Sequence, residues 1–233
     1  MNPLALLAPF VGMATQRRWE ADRLARRPDS APLTNFLQAP VPDKRDDWRA
    51  AEYVALDLET TGGVAGKDDI LSFGWLCLQG EEIRLASARH RLVQPRRALN
   101  AESVTIHRIT DDRAAQGESL RAVLADFLAD LAGKVLIAHY TPTEIGFLDA
   151  ACRACYGGRF ITPAIDTLVL ARRAQQHAQA GALRLGALRT RHHLPRYPAH
   201  HALSDALSAA ELFLAQAHEK AQGHPLALGN LLL

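Results

Sequence analysis

The sequence predicts a mixed-sheet α/β domain flanked by helices, preceded by a mainly helical N-terminal extension. Three observations predict it. A short apolar run at Tyr53–Leu58 and further strands at Ile70–Leu78 and Glu82–Val93 are joined by short links, which reads as an antiparallel meander. A further buried strand, Lys134–Ala138, directly follows a helix-spaced segment. Everything after about residue 142 is dominated by helical spacing. Strands, then helix alternating with strand, then helices, is the order of a mixed sheet with helices packed on it.

Residues 1–50 form the extension. Pro28, Pro32, Pro40 and Pro42 punctuate it, and Trp19–Arg27 reads as a short charged helix packed on the main domain or a partner. The main domain is expected over 51–220. Its first strand ends at Thr60-Thr61-Gly62-Gly63. Leu120, Val123, Leu124, Phe127, Leu128 and Leu131 lie on one face of a helix that Gly133 stops. Further helices are expected at 142–156, 166–178, 183–192 and 201–219. Residues 221–233 are an apolar, poorly patterned C-terminal tail, and Leu231-Leu232-Leu233 is a candidate assembly contact.

Composition excludes several classes. The chain has 233 residues, 48% hydrophobic and 22% charged, which rules out wholesale disorder and leaves room for one sizeable core. No apolar run approaches the ~18 residues of a membrane span. Arg17-Arg18 follow the apolar stretch Leu4–Met13, the reverse of a secretory signal, so a cytoplasmic protein is expected. Three cysteines make no disulfide framework. Net charge is +2, too little for sequence-blind binding to duplex DNA by charge alone. All the basic residues except Lys44, Lys67, Lys134 and Lys220 are arginines.

The carboxylates carry the chemistry. Asp57 and Glu59 lie two apart at the end of a buried strand, so they share a face, about 7 Å apart by strand rise. Two bare carboxylates there are costly unless neutralised, and a hard divalent cation would neutralise them. By themselves they fit solvated strand-end acids equally well. Far downstream, Leu203, Leu207, Ala210 and Leu214 form a helix stripe. Asp205 lies off it in the first turn, with His200 in the entering loop, so the two can converge on one point.

Taken together, Asp57-Leu-Glu59-Thr-Thr-Gly62, Ala138-His139 and His200-His-Ala-Leu-Ser-Asp205-Ala206 resemble the DEDDh 3′–5′ exonucleases, the DnaQ-like family. Ile106-His107-Arg-Ile-Thr110 and Ile165-Asp166-Thr-Leu-Val-Leu-Ala-Arg172 match secondary segments in the same order, and the resemblance covers Tyr53 to Gln216. It implies an RNase H-like fold, two Mg2+ or Mn2+ ions held by Asp57, Glu59, Glu144 and Asp205, and His200 as general base. It also implies Thr60, Thr61, His107 and Phe147 near the terminal nucleotide, with Asp166 in support. Phe147 at its helical spacing fits the core as well. One position departs: His139-Tyr-Thr-Pro-Thr-Glu144-Ile-Gly-Phe147-Leu148 places a glutamate where the family has its third acid, an aspartate. Thr141-Pro142-Thr143-Glu144 also has the form of a capping box, so Glu144 is a ligand, a cap or both. Asp149 and Asp166 are the reserve acids.

The expected function is therefore metal-dependent removal of nucleoside 5′-monophosphates from a single-stranded nucleic-acid 3′ end. DNA is the expected substrate, in proofreading or repair. The alternatives are RNA or oligonucleotide trimming, and a catalytically weak nucleic-acid-binding module serving a polymerase or other partner. Arg184, Arg189, Arg191 and Arg196 are candidates for phosphate contact or a solvated face. Cys152 and Cys155 read as core.

Overall fold

The computed structural model describes residues 12–96, 109, 111–175 and 179–233. His107 therefore lies outside the described residues, as does its segment apart from Ile109.

The first half builds a sheet around one central strand. Helices α1 (Met13–Leu24) and α2 (Ala31–Gln38) lead into β1 (Glu52–Thr60), β2 (Ile70–Gln79) and β3 (Glu82–Leu92). A short α3 (Asp111–Ala115) precedes α4 (Leu120–Leu131), which Ser119 caps through the Ala122 N–H. Then follow β4 (Val135–Ala138), α5 (Thr141–Tyr156), β5 (Ala164–Asp166), α6 (Thr167–Ala174), α7 (Leu185–Arg191) and α8 (Ala202–Ala221). The strand order is β3-β2-β1-β4-β5, with β1 antiparallel to β2 and parallel to β4, and β4 parallel to β5. The mixed sheet is as expected, and the short β5 adds to it.

Parity along β1 separates two cores. Val54, Leu56 and Leu58 face α1, α2, α4 and α5, beside Phe73, Trp75 and Phe127. Tyr53 and Ala55 face α8, beside Ala206, Ala210, Phe213 and Ala217. Asp57 and Glu59 continue the second series, so strand alternation turns both toward α8. The small residues of α8 let it lie close on the sheet.

Several boundaries differ from the sequence expectation. The first helix spans Met13–Leu24 rather than Trp19–Arg27, and the sixth stops at Ala174 rather than 178. Leu226, Leu228 and Leu231 are buried against Trp48, and the Leu226 N–H bonds Asp47 Oδ2 at 3.1 Å. Leu231 is thus spent inside the chain rather than offered to a partner copy.

The extension is stapled by Arg17, only 3% exposed. Its guanidinium donates to the carbonyls of Ile161 and of Phe36 (2.5 Å), and burial lowers its pKa to about 10. Arg17→Ala strands those buried carbonyls and is expected to cost about 3 kcal/mol. The readout is a lower urea midpoint at unchanged m-value. An unmoved midpoint would show that Arg17 does not hold the extension.

Candidate active site

Asp57 sits on β1 and pairs with Gly74 of β2 in the ladder, and the register shifts just after Glu59. Asp205 enters from the first turn of α8. Each of Asp57, Glu59 and Asp205 offers one carboxylate oxygen, and these oxygens lie within 4.8 Å of one another. Residues 148 apart along the chain, Asp57 and Asp205, thus share one point because the α8 N-terminus crosses the sheet at the end of β1.

Repulsion and burial show in the proton affinities. Asp57 is raised well above the carboxylate range by burial, then by Glu144, Asp205 and Glu59. Glu59 is raised to about 7 by burial and Asp205. Asp205 is raised by burial, opposed by the His200 and His201 backbone N–H groups. Glu144 is pushed up to about 8 by burial and, in part, by Asp166, while its own backbone N–H opposes the rise.

Glu144 stands outside the 4.8 Å triad yet close enough to raise Asp57. The expected capping box does not form. The helix begins one residue early, after Tyr140, and the Thr141 hydroxyl donates to Asp166 Oδ2 at 3.1 Å instead of capping. Glu144 Oε2 is buried with no hydrogen-bond partner among the described residues. A buried acceptor lacking a donor, beside three carboxylates, fits a hard divalent cation.

Asp166 braces this wall. Its carboxylate accepts from the backbone N–H groups of Tyr140 (3.0 Å) and Thr141 (2.9 Å), which start α5, and of Leu168 (2.9 Å), which starts α6. Asp149 is committed elsewhere, to Arg153 (2.7 Å) and the Phe160 N–H (2.9 Å).

His200 is exposed, in the left-handed region at φ 62°, and its N–H donates to Asp205 Oδ2 at 2.8 Å. That conformation is unfavourable for a non-glycine residue, and Asp205 holds it. His139, which sequence reasoning passed over as a site residue, lines the same cleft of about 750 Å3 as Asp57, Glu59, His200 and Asp205. Its position directly after β4 was the available signal. Its Nδ1 lies 2.8 Å from the Thr167 hydroxyl, and burial lowers its pKa.

The remaining candidates divide. Thr60 and Thr61 brace the turn after β1, through Gly62 O (2.7 Å) and the Asp69 N–H (2.9 Å). Phe147 is 2% exposed in the core and lines a second cavity of about 550 Å3 with Ile70, Val93 and Arg96, not the cleft of Asp57. Arg184 and Arg196 line the cleft and are exposed. Arg189, a candidate for phosphate, is 4% exposed and bonded to Glu211 (2.6 Å), so it serves the interior. Cys152 is buried in the core, with Cys155 packed against it.

The charged cluster predicts a pH dependence. With chelator present, the folded chain keeps protons on Glu59 and Glu144 that the unfolded chain releases near 4.5. Stability is then full below that value and is lost as pH rises through about 7 and about 8. The melting temperature in chelator is expected to fall from about pH 5 to about pH 8.5, and Mn2+ should raise it more at the alkaline end. Melts at both pH values, with and without Mn2+, check this. A metal-free protein that gained stability on the alkaline side would contradict it.

Known proteins resemble this chain in sequence and in fold. A family model described as Exonuclease matches residues 54–213. The sequence is 30% identical over 164 residues to DNA polymerase III PolC-type of Thermotoga maritima, covering 70% of this chain but 12% of that protein. It is 29% identical over 174 residues to DNA polymerase III subunit epsilon of Treponema pallidum, covering 74% and 80%. The fold is similar to Exonuclease X in complex with 5′ overhanging duplex DNA (TM-score 0.58, 20% identity, 77% of this chain and 98% of that one). It is also similar to the nuclease domain of 3′hExo, a DEDDh family member, bound to rAMP (TM-score 0.61, 13% identity, 74% and 94%). Among the described residues, no helix is long and apolar enough to cross a membrane. With acids on β1 and α8 meeting at one point and a histidine ahead of the second, the chain belongs to the exonuclease family.

Proposed function

We propose that the chain hydrolyses nucleic-acid 3′ ends, releasing nucleoside 5′-monophosphates, with single-stranded DNA as substrate in proofreading or repair. The domain responsible is 51–220, and a polymerase is the proposed partner. One observation carries this: three carboxylate oxygens within 4.8 Å, beside the orphaned Glu144 Oε2. The DNA assignment leans on relatives named as DNA polymerase III components.

Asp57, Glu59, Glu144 and Asp205 are the proposed ligands of two Mg2+ or Mn2+ ions, four negative charges against four positive. Bound there, such ions supply Lewis-acid stabilisation of the phosphodiester and a more acidic water. His200, exposed at the cleft, accepts the proton of the attacking water. Asp205 has a second duty, since its other contact fixes the His200 backbone. Thr60, Thr61 and His107 are proposed around the terminal nucleotide, with Asp166 holding the start of α5; Phe147, buried beside a different cavity, is not.

The test is incubation with 5′-labelled single-stranded DNA and RNA, each with Mg2+, Mn2+ or chelator. A ladder shortening from the 3′ end in metal, absent in chelator, is the expected result, with DNA cut faster. Faster cutting of RNA would move the assignment to RNA trimming. No ladder with either metal would leave a binding module.

The position of Glu144 outside the triad is what favours the binding-module reading, and Glu144→Gln decides the residue's role. The expected loss is about 100-fold in kcat, because the neutral amide cannot complete the charge balance. Near-wild-type turnover would make Glu144 structural only.

A further inference from the structure

Tyr197 is built into the cleft in a way that the acidic cluster does not require. It precedes His200 by three residues and lines the same cleft as Asp57, Glu59 and Asp205. The residue is 37% exposed, yet it is not free to swing. Its hydroxyl donates to Glu211 Oε1 at 3.0 Å. The Arg189 guanidinium lies over its ring, 4.8 Å from the centroid. Arg189 is fixed in turn by the Ser208 carbonyl (2.8 Å), the Pro195 carbonyl (2.6 Å) and Glu211 Oε2 (2.6 Å). One glutamate therefore holds both the ring's hydroxyl and the cation behind the ring.

An exposed tyrosine on a loop ordinarily loses rotamer freedom when it binds anything. Here that freedom is already gone, which makes the ring a preorganised plane. In the same cleft Arg184 and Arg196 are exposed and make no ion pair among the described residues. A fixed aromatic plane and exposed arginines lining one cleft with an acidic cluster match one ligand chemistry: a flexible strand of stacked bases and phosphates. A Tyr197 whose only duty was to shield Arg189 would not need its ring in the cleft.

We propose that Tyr197 is a stacking platform for a base of the single strand whose 3′ end reaches the acidic cluster, with Arg184 and Arg196 contacting its phosphates. This rests on the nuclease function proposed above. Stacking tolerates any base, so Tyr197 would set affinity and the minimum strand length rather than sequence preference.

The experiment is a cycle between protein and strand. Fluorescence anisotropy of 5′-fluorescein oligothymidylate, with Ca2+ in place of Mg2+, gives Kd for wild type, Tyr197→Ala and Tyr197→Phe. A second set of strands carries one abasic site, moved stepwise from the 3′ end. Tyr197→Ala is expected to weaken binding about tenfold on the intact strand, and Tyr197→Phe to stay within about threefold. At one abasic position the Tyr197→Ala penalty should vanish, because the stacked base is already missing. A penalty that persists at every abasic position overturns the proposal, as does one that is absent on the intact strand. Should Tyr197→Ala fail to fold, the wild-type and Tyr197→Phe scans still decide it, since both must lose the most affinity at the same abasic position. Wild-type hydrolysis of the p-nitrophenyl ester of thymidine 5′-monophosphate, which has no upstream base, reads the acidic cluster separately. Base-dependent binding without that hydrolysis would keep the platform and remove the nuclease.

Discussion

Asp57→Asn is expected to abolish the 3′-end ladder, a loss of about 1,000-fold or more, while the protein becomes no less stable in chelator. The two signs together are the test. Asp57 lies in the most crowded part of the cluster, pressed by burial and by Glu144, Asp205 and Glu59. An amide has nearly the same shape and carries no charge, so it relieves that repulsion in the metal-free protein. It is also a poor ligand for a hard cation, which prefers anionic oxygen. A substitution that merely damaged the fold would lower activity and melting temperature together. Turnover and melts in chelator separate the two cases, and a ladder surviving in Asp57→Asn would remove the acidic cluster from the chemistry.

The parts of this site legible in the sequence are those that local periodicity reports. Asp57 and Glu59 share a face because strand side chains alternate, and the alternation is visible in Tyr53–Leu58. Asp205 falls in a first turn because the stripe of α8 begins just before it. Long-range contacts are what periodicity omits. The motif Thr141–Glu144 reads as a capping box, but Thr141 spends its hydroxyl on Asp166, 25 residues away. Asp166 itself sits on β5, three residues long and too short to leave a pattern of its own. The charge of Arg189 suggests a phosphate contact, yet Glu211 and two carbonyls take it inward. Helix α1 begins six residues before the expected Trp19, because the residue fixing it, Arg17, bonds carbonyls as far away as Ile161.

Gly74→Ala is expected to cost about 100-fold in kcat although Gly74 has no side chain to offer a metal or a substrate. Gly74 lies on β2, paired with Asp57 on one side and with His90 on the other. Its backbone is not in a conformation reserved to glycine; what it supplies is space. A Cβ built there would stand 2.0 Å from the Leu203 nitrogen and 2.1 Å from the Ala202 carbonyl carbon. Both are backbone atoms of the first turn of α8, so no rotamer change can relieve the overlap. Downstream, α8 is anchored by Ala210, Phe213 and Ala217 in the core, which keeps the helix from retreating as a whole. The first turn must lift, and it carries Asp205 and, through the Asp205 bond, the His200 backbone. A displacement of about 1 Å is enough to open the 4.8 Å cluster and cost about two orders of magnitude in rate. Weaker Mn2+ binding by calorimetry and a lower kcat, in a protein that still melts cooperatively, would show α8 displaced from β1. Wild-type kcat and Mn2+ affinity in Gly74→Ala would mean that β2 yields instead, and that the close approach of α8 to the sheet does not position Asp205.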